Sequence, residues 1–115
     1  MTSQFKPAAG IIVVRMKDGL YEVLCLVKPS GKLDLTKGII DPGENALQAA
    51  TRETGEEAGI YDLDFCWGHD NHSFDACTMF LAKTTDRPHI TKNPHSGIYE
   101  HIGYKWMSLD DCYNS

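Results

Sequence analysis

The chain has no closely spaced cysteine pair, no surplus of basic residues and no apolar run of membrane length. Cys25, Cys66, Cys77 and Cys112 include no CxxC. That argues against a zinc site and fits reduced, mostly buried thiols in a cytoplasmic protein. No apolar run approaches the roughly 20 residues needed to span a bilayer. The start, MTSQFKPAAG, lacks the hydrophobic region of a secretory signal. A net charge of −5 argues against broad nucleic-acid binding. It leaves room for an anionic small molecule held by a metal and a few local cations. There is no repeat and no low-complexity tract. At 115 residues, 42% hydrophobic and 23% charged, the chain reads as one globular domain with a real core.

What the chain does have is an acidic stretch, GIIDPGENALQAATRETGEEAGI, from Gly38 to Ile60. At about 100° per residue, a helix there gathers Glu53, Glu56 and Glu57 within an arc of roughly 100°. Leu47, Ala50, Thr54 and Ala58 fall within roughly 80° on the other side, suited to a core. Like charges three and four residues apart repel. A helix needing only solubility would interleave Lys or Arg. A dication resolves the repulsion, and hard oxygen ligands suit Mg²⁺, or Mn²⁺, better than zinc.

The spacing is specific. Gly38 is followed after five residues by Glu44, after seven more by Arg52-Glu53-Thr54, then by Glu56-Glu57 and Gly59-Ile60. This pattern fixes nine positions over 23 residues. It resembles the Nudix box, with Thr54 where an aliphatic residue is more usual. The resemblance implies the Nudix fold, an α/β (α+β) arrangement with a mixed sheet between helices and a loop–helix–loop motif. It also implies a pyrophosphohydrolase: water attacks a phosphorus and a phosphoanhydride breaks.

Carried over by position, Glu56 and Glu57 are expected metal ligands, with the Gly38 carbonyl completing the shell. Glu53 is a ligand or the base, and Arg52 pairs with Glu44 to hold the loop on the helix. Farther on, Glu100-His101-Ile102-Gly103-Tyr104-Lys105-Trp106 resembles the branch that cleaves diadenosine tetraphosphate and related dinucleoside polyphosphates. There Glu100 is expected to join the metal cluster or act as base. Lys37 is a candidate to reach a phosphate, Tyr104 to stack on a base, and Lys28, Lys32 and Lys83 are weaker cationic candidates. Within the branch pattern, Leu33 and Thr36 stand where Trp and Pro are usual. The competing readings are hydrolysis of ADP-ribose, a nucleoside triphosphate, an RNA 5′ end or a diphosphoinositol polyphosphate. A noncatalytic Nudix-fold sensor is the reading outside enzymes. A monomer or homodimer is expected.

In chain order, Ala8–Arg15 and Tyr21–Lys28 read as strands joined at Lys17-Asp18-Gly19. Leu33–Leu35 is a short extended piece. The helix runs from about Asn45 to Ala58, with Asn45 or Glu44 near the N-cap and Gly59 at its C-terminal end. Ile60–Trp67 and Ala76–Lys83 read as strands around a polar turn, Gly68–Asp75. Thr84–Gly103 is a long irregular segment. Tyr104–Met107 is a last strand, and Ser108 caps a helix start. Two histidines, His69 and His72, read as part of the turn rather than a zinc site. His89 and His95 lie in the long segment.

Overall fold

The computed structural model describes residues 6–113. Residues 1–5 and the side chain of Cys112, touched on above, lie outside the described residues. The strands are β1 Ala8–Lys17, β2 Leu20–Val27, β3 Leu33–Asp34, β4 Thr36–Ile39, β5 His72–Phe74, β6 Cys77–Lys83 and β7 Gly103–Ser108. The helices are α1 Ala46–Ala58 and α2 Leu109–Tyr113. Among the described residues no helix is long and apolar enough to cross a membrane.

β1 is the centre of one mixed sheet. It runs parallel to β6 and antiparallel to β2 and β4. β2 in turn carries β3 and β7. The hairpin between β1 and β2 turns through Asp18 and Gly19, both at positive φ (52° and 80°). Such a turn matches the right-handed twist of the strands it joins. β1 is apolar on both faces because both are covered. Ile11 and Val13 face a core with Leu24, Leu26, Phe80, Ala49, Ala50, Ala58 and Ile60. Ile12 and Val14 face a smaller cluster with Val23, Cys25 and Met107. Each large side chain buried in the first cluster contributes roughly 1.5–3 kcal/mol.

α1 begins at Asn45, whose side chain accepts from Gln48 N–H at 2.8 Å while Gln48 accepts from Asn45 N–H at 2.9 Å. This reciprocal cap satisfies two donors that a helix start leaves unpaired. The helix ends at Gly59, left-handed at φ 65°. Its buried face carries Ala49, Ala50, Thr54, Gly55 and Ala58, with Leu47 packed against the core at the rim. α2 starts after Ser108, whose hydroxyl accepts from Asp111 N–H at 3.1 Å.

Two expectations fail between α1 and β6. Ile60–Trp67 is not a strand; it makes a single bridge, Asp64 to Lys83. The Tyr61 and Asp62 N–H groups both donate to the Asp86 carboxylate at 2.9 Å, so a side chain takes donors that a ladder would use. The strand lies instead at His72–Phe74, inside the stretch read as a turn. Its hairpin turns at Asp75 and Ala76, at φ 46° and 66°. No glycine announces that turn. One thiol also departs from expectation: Cys66 is exposed.

Candidate active site

Three elements bring the site together: β4, α1 and the segment before β7. β4 pairs with the first half of β1 and lies against α1. A Cβ on Gly38 would sit 2.2 Å from the Glu53 carboxyl carbon, so the missing side chain leaves the space that this carboxylate fills. Next to it, Lys37 N–H donates to Glu57 at 2.8 Å. The segment at 89–91 is fastened to the end of α1: His89 N–H donates to Ala58 C=O at 2.7 Å, and the Thr91 hydroxyl to Glu56 C=O. This fastening carries Glu100 to the helix. Glu53, Glu56, Glu57 and Glu100 consequently line one small cavity, with Thr91 and Asn93.

Arg52 pairs with two of these carboxylates, Glu53 and Glu56, and with Glu44. Its guanidinium reaches Glu44 through two nitrogens, at 2.8 and 3.0 Å, as the sequence led us to expect. It also donates to Glu53 at 2.7 Å, to Glu56 at 3.1 Å and to Ile39 C=O at 3.0 Å. Loop, strand end and helix are thus held by one planar donor set. The Arg52 hydrogen bonds hold the Glu44 carboxyl below the ordinary range.

Burial pushes the Glu57 carboxyl up to about 8, and the charges of Glu53, Glu100 and Asp34 add to the rise; the Lys37 N–H opposes it. Burial raises Glu53 as well, against the pull of Arg52. A carboxylate penalised in this way is relieved by a proton or by a cation. The donor set is all hard oxygen, which fits Mg²⁺ or Mn²⁺. Among the described residues, no three of these side chains stand converged as a finished cage. Arg52 holds the Glu53 and Glu56 carboxylates against its guanidinium.

A cleft of about 740 Å³ opens beside this cluster, lined by Lys28, Ser30, Lys37, Gly38, Glu57 and Glu100. Asp34 organises its cationic side. Its carboxylate binds the Lys37 ammonium, lies 3.3 Å from His101 Nε2 and 3.9 Å from Lys28 Nζ. Burial works to raise Asp34, but the bonds from Lys37 and His101 outweigh it and hold the carboxyl low. The sequence did not disclose this arrangement. Asp34 and His101 are 67 residues apart, and no spacing rule links them.

Two expected substrate residues are elsewhere. Lys83 and Tyr104 line a second cavity, with Arg15, Arg87 and Trp106. The reason is strand length: Cys77 at the start of β6 lines the cleft, while Lys83 is six residues on, about 20 Å along the strand. Tyr104 is held opposite Leu26 by the β2–β7 register. His69 packs edge-on against Phe65, and His89 packs on Gly59.

This architecture and motif have known counterparts. The NUDIX domain profile matches residues 4–114. The asymmetrical bis(5′-nucleosyl)-tetraphosphatase of Caenorhabditis elegans is 34% identical over 116 residues, covering 91% of this chain and 80% of the relative. A crystal structure of a C. elegans Ap4A hydrolase binary complex superimposes with a TM-score of 0.73 at 28% identity, covering 96% of this chain and 85% of that one. A MutT protein from Methanosarcina mazei, with a TM-score of 0.62 at 24% identity over 98% of this chain and 86% of its own, shares the fold. With the box complete from Gly38 to Ile60 and the mixed sheet and helix that carry it in place, the chain belongs to the NUDIX family and is a pyrophosphohydrolase.

Proposed function

We propose that this protein is a Mg²⁺-dependent hydrolase of dinucleoside polyphosphates, with diadenosine tetraphosphate as its preferred substrate. The observation that carries the reading is the cavity shared by Glu53, Glu56, Glu57 and Glu100, opening beside a cleft that holds Lys28 and Lys37. The likeness to the C. elegans tetraphosphatase supports the substrate class. Glu56, Glu57 and the Gly38 carbonyl hold the cation, with Glu53 and Glu100 as further ligands. A divalent cation in this place neutralises charge on the phosphate oxygens and makes the attacking water easier to deprotonate.

The chain's own groups do the rest. Lys37 and Lys28 hold the anionic polyphosphate, Lys37 by exchanging its Asp34 partner for a phosphate oxygen. Arg52 keeps Glu53 and Glu56 oriented. Glu53 or Glu100 accepts the proton from water as the new P–O bond forms and the anhydride P–O bond breaks. The departing phosphate keeps the bonding electrons. The reduced thiols at Cys66 and Cys77 suit a cytoplasmic location. The working unit is a monomer or homodimer.

A substrate panel with product chromatography tests this. It contains diadenosine tetraphosphate, ADP-ribose, and triphosphorylated and capped RNA, each with Mg²⁺. Diadenosine tetraphosphate should be cleaved fastest, and faster cleavage of ADP-ribose would overturn the substrate assignment. Glu57→Gln keeps an acceptor for Lys37 N–H and removes a buried charge, so it should fold. Its activity should fall on the order of 100-fold or more. Unchanged activity would refute the ligand role.

A further inference from the structure

Glu100 sits on an exposed segment, yet lies in a cavity with three other glutamates. Repulsion should drive it into solvent. Something neutral holds it. Residues 93–98 close into a compact turn: Asn93 N–H donates to Ile98 C=O at 2.9 Å, and Gly97 N–H to Asn93 C=O at 2.8 Å. The Asn93 side chain sits inside that turn. Its Oδ1 accepts from His95 N–H at 2.8 Å and Ser96 N–H at 3.2 Å. Two N–H groups aimed at one end of the amide fix which end is oxygen. The nitrogen therefore faces the other way, and Nδ2 donates to Glu100 Oε1 at 2.9 Å.

We propose that Asn93 is a positioning residue for Glu100: its oxygen locks the 93–98 turn and its nitrogen holds the Glu100 carboxylate at the cavity with the α1 glutamates. An amide suits this task better than a cation. It offsets repulsion without competing with a divalent ion, and it engages one carboxylate oxygen while the other stays available. The inference rests on the reading that Glu100 takes part in hydrolysis.

Asn93→Asp separates the two halves of the role. The new carboxylate still accepts from His95 and Ser96 but repels Glu100. The test is a double-mutant cycle of Asn93→Asp and Glu100→Gln on the phosphoanhydride that the enzyme cleaves fastest, with thermal midpoints as a folding control. Asn93→Asp should lower kcat about tenfold with little change in KM. Added to Glu100→Gln, it should cost little more, because the two act as one unit. Independently of activity, the Asn93 side-chain amide resonances, identified by their loss in Asn93→Asp, should move in Glu100→Gln. Wild-type kcat in Asn93→Asp, additive losses, or unmoved amide signals would overturn the proposal. Wild-type kcat in Glu100→Gln would instead remove the role of Glu100, and that of Asn93 with it.

Discussion

Thr36 and Thr54 occupy two positions where the family pattern favours Pro and an aliphatic residue, and they meet. Their hydroxyl oxygens are 2.9 Å apart, and both residues are buried. Thr36 also lies 3.0 Å from Ile11 C=O, and Thr54 2.8 Å from Ala50 C=O. Each hydroxyl has one proton, so the pair forms a relay ending on one of those two carbonyls. It ties β4, which carries Gly38, to α1, which carries the glutamates. The two departures from the pattern thus account for each other. Thr54→Val should destabilise by about 1 kcal/mol, because it removes a partner from a buried hydroxyl. Thr36→Val should do the same. The double variant should lose less than the sum, since the bond between the two hydroxyls is lost only once. Urea denaturation of the four proteins checks this, and strictly additive losses would show that the hydroxyls do not cooperate.

At the scale of elements, β3 and the end of the 84–102 segment are joined by Asp34 and His101. Asp34 has a folded-state pKa below its ordinary value of 3.8. Its contribution is then present above pH 3.8 and is lost as pH falls through the folded value. Asp34→Asn should cost about 1–2 kcal/mol near neutral pH, with two cations and His101 left short of an anion. The gap to wild type should close on acidification below pH 3.8. Stability curves of both proteins from neutral to acid pH measure it. A gap that widened in acid would mean that the carboxylate is not the stabilising form. The same element scale explains the misread region. The strand at His72–Phe74 is hidden in a polar stretch that reads as turn throughout, its tight turn at Asp75 and Ala76 has no glycine, and Ile60–Trp67 is apolar enough to pass for a strand until Asp86 takes its N–H groups.

For the whole molecule, the glutamate cluster is an electrostatic load on the fold that a cation would relieve. Buried Glu57, raised to about 8, and raised Glu53 mark the load. Saturating Mg²⁺ should therefore stabilise the folded state. At a hundred times its dissociation constant the gain is about 2.7 kcal/mol, on the order of 10 °C in thermal midpoint for a domain of this size. Chelation should remove the gain, and Glu57→Gln should show much less of it. A midpoint indifferent to Mg²⁺ in the wild type would count against a cation site on α1.

The sequence by itself determined the helix, its two faces and its Gly59 end, because periodicity and capping are local; it offered Asn45 or Glu44 for the N-cap, and the structure shows Asn45, paired with Gln48. It determined the family, because the box from Gly38 to Ile60 is a contiguous pattern. Only the tertiary structure decided which distant side chains meet at and around the glutamates. Asn93 on Glu100, Asp34 on His101 and Thr36 on Thr54 are contacts across sheet and loop, set by strand register and by how the segment after β6 is fastened to α1. Lys83 and Tyr104 line a different cavity from Lys37 for the same reason: a residue's type is written in the sequence, but the end of the strand it reaches, and the cavity there, depend on pairing between segments far apart in the chain.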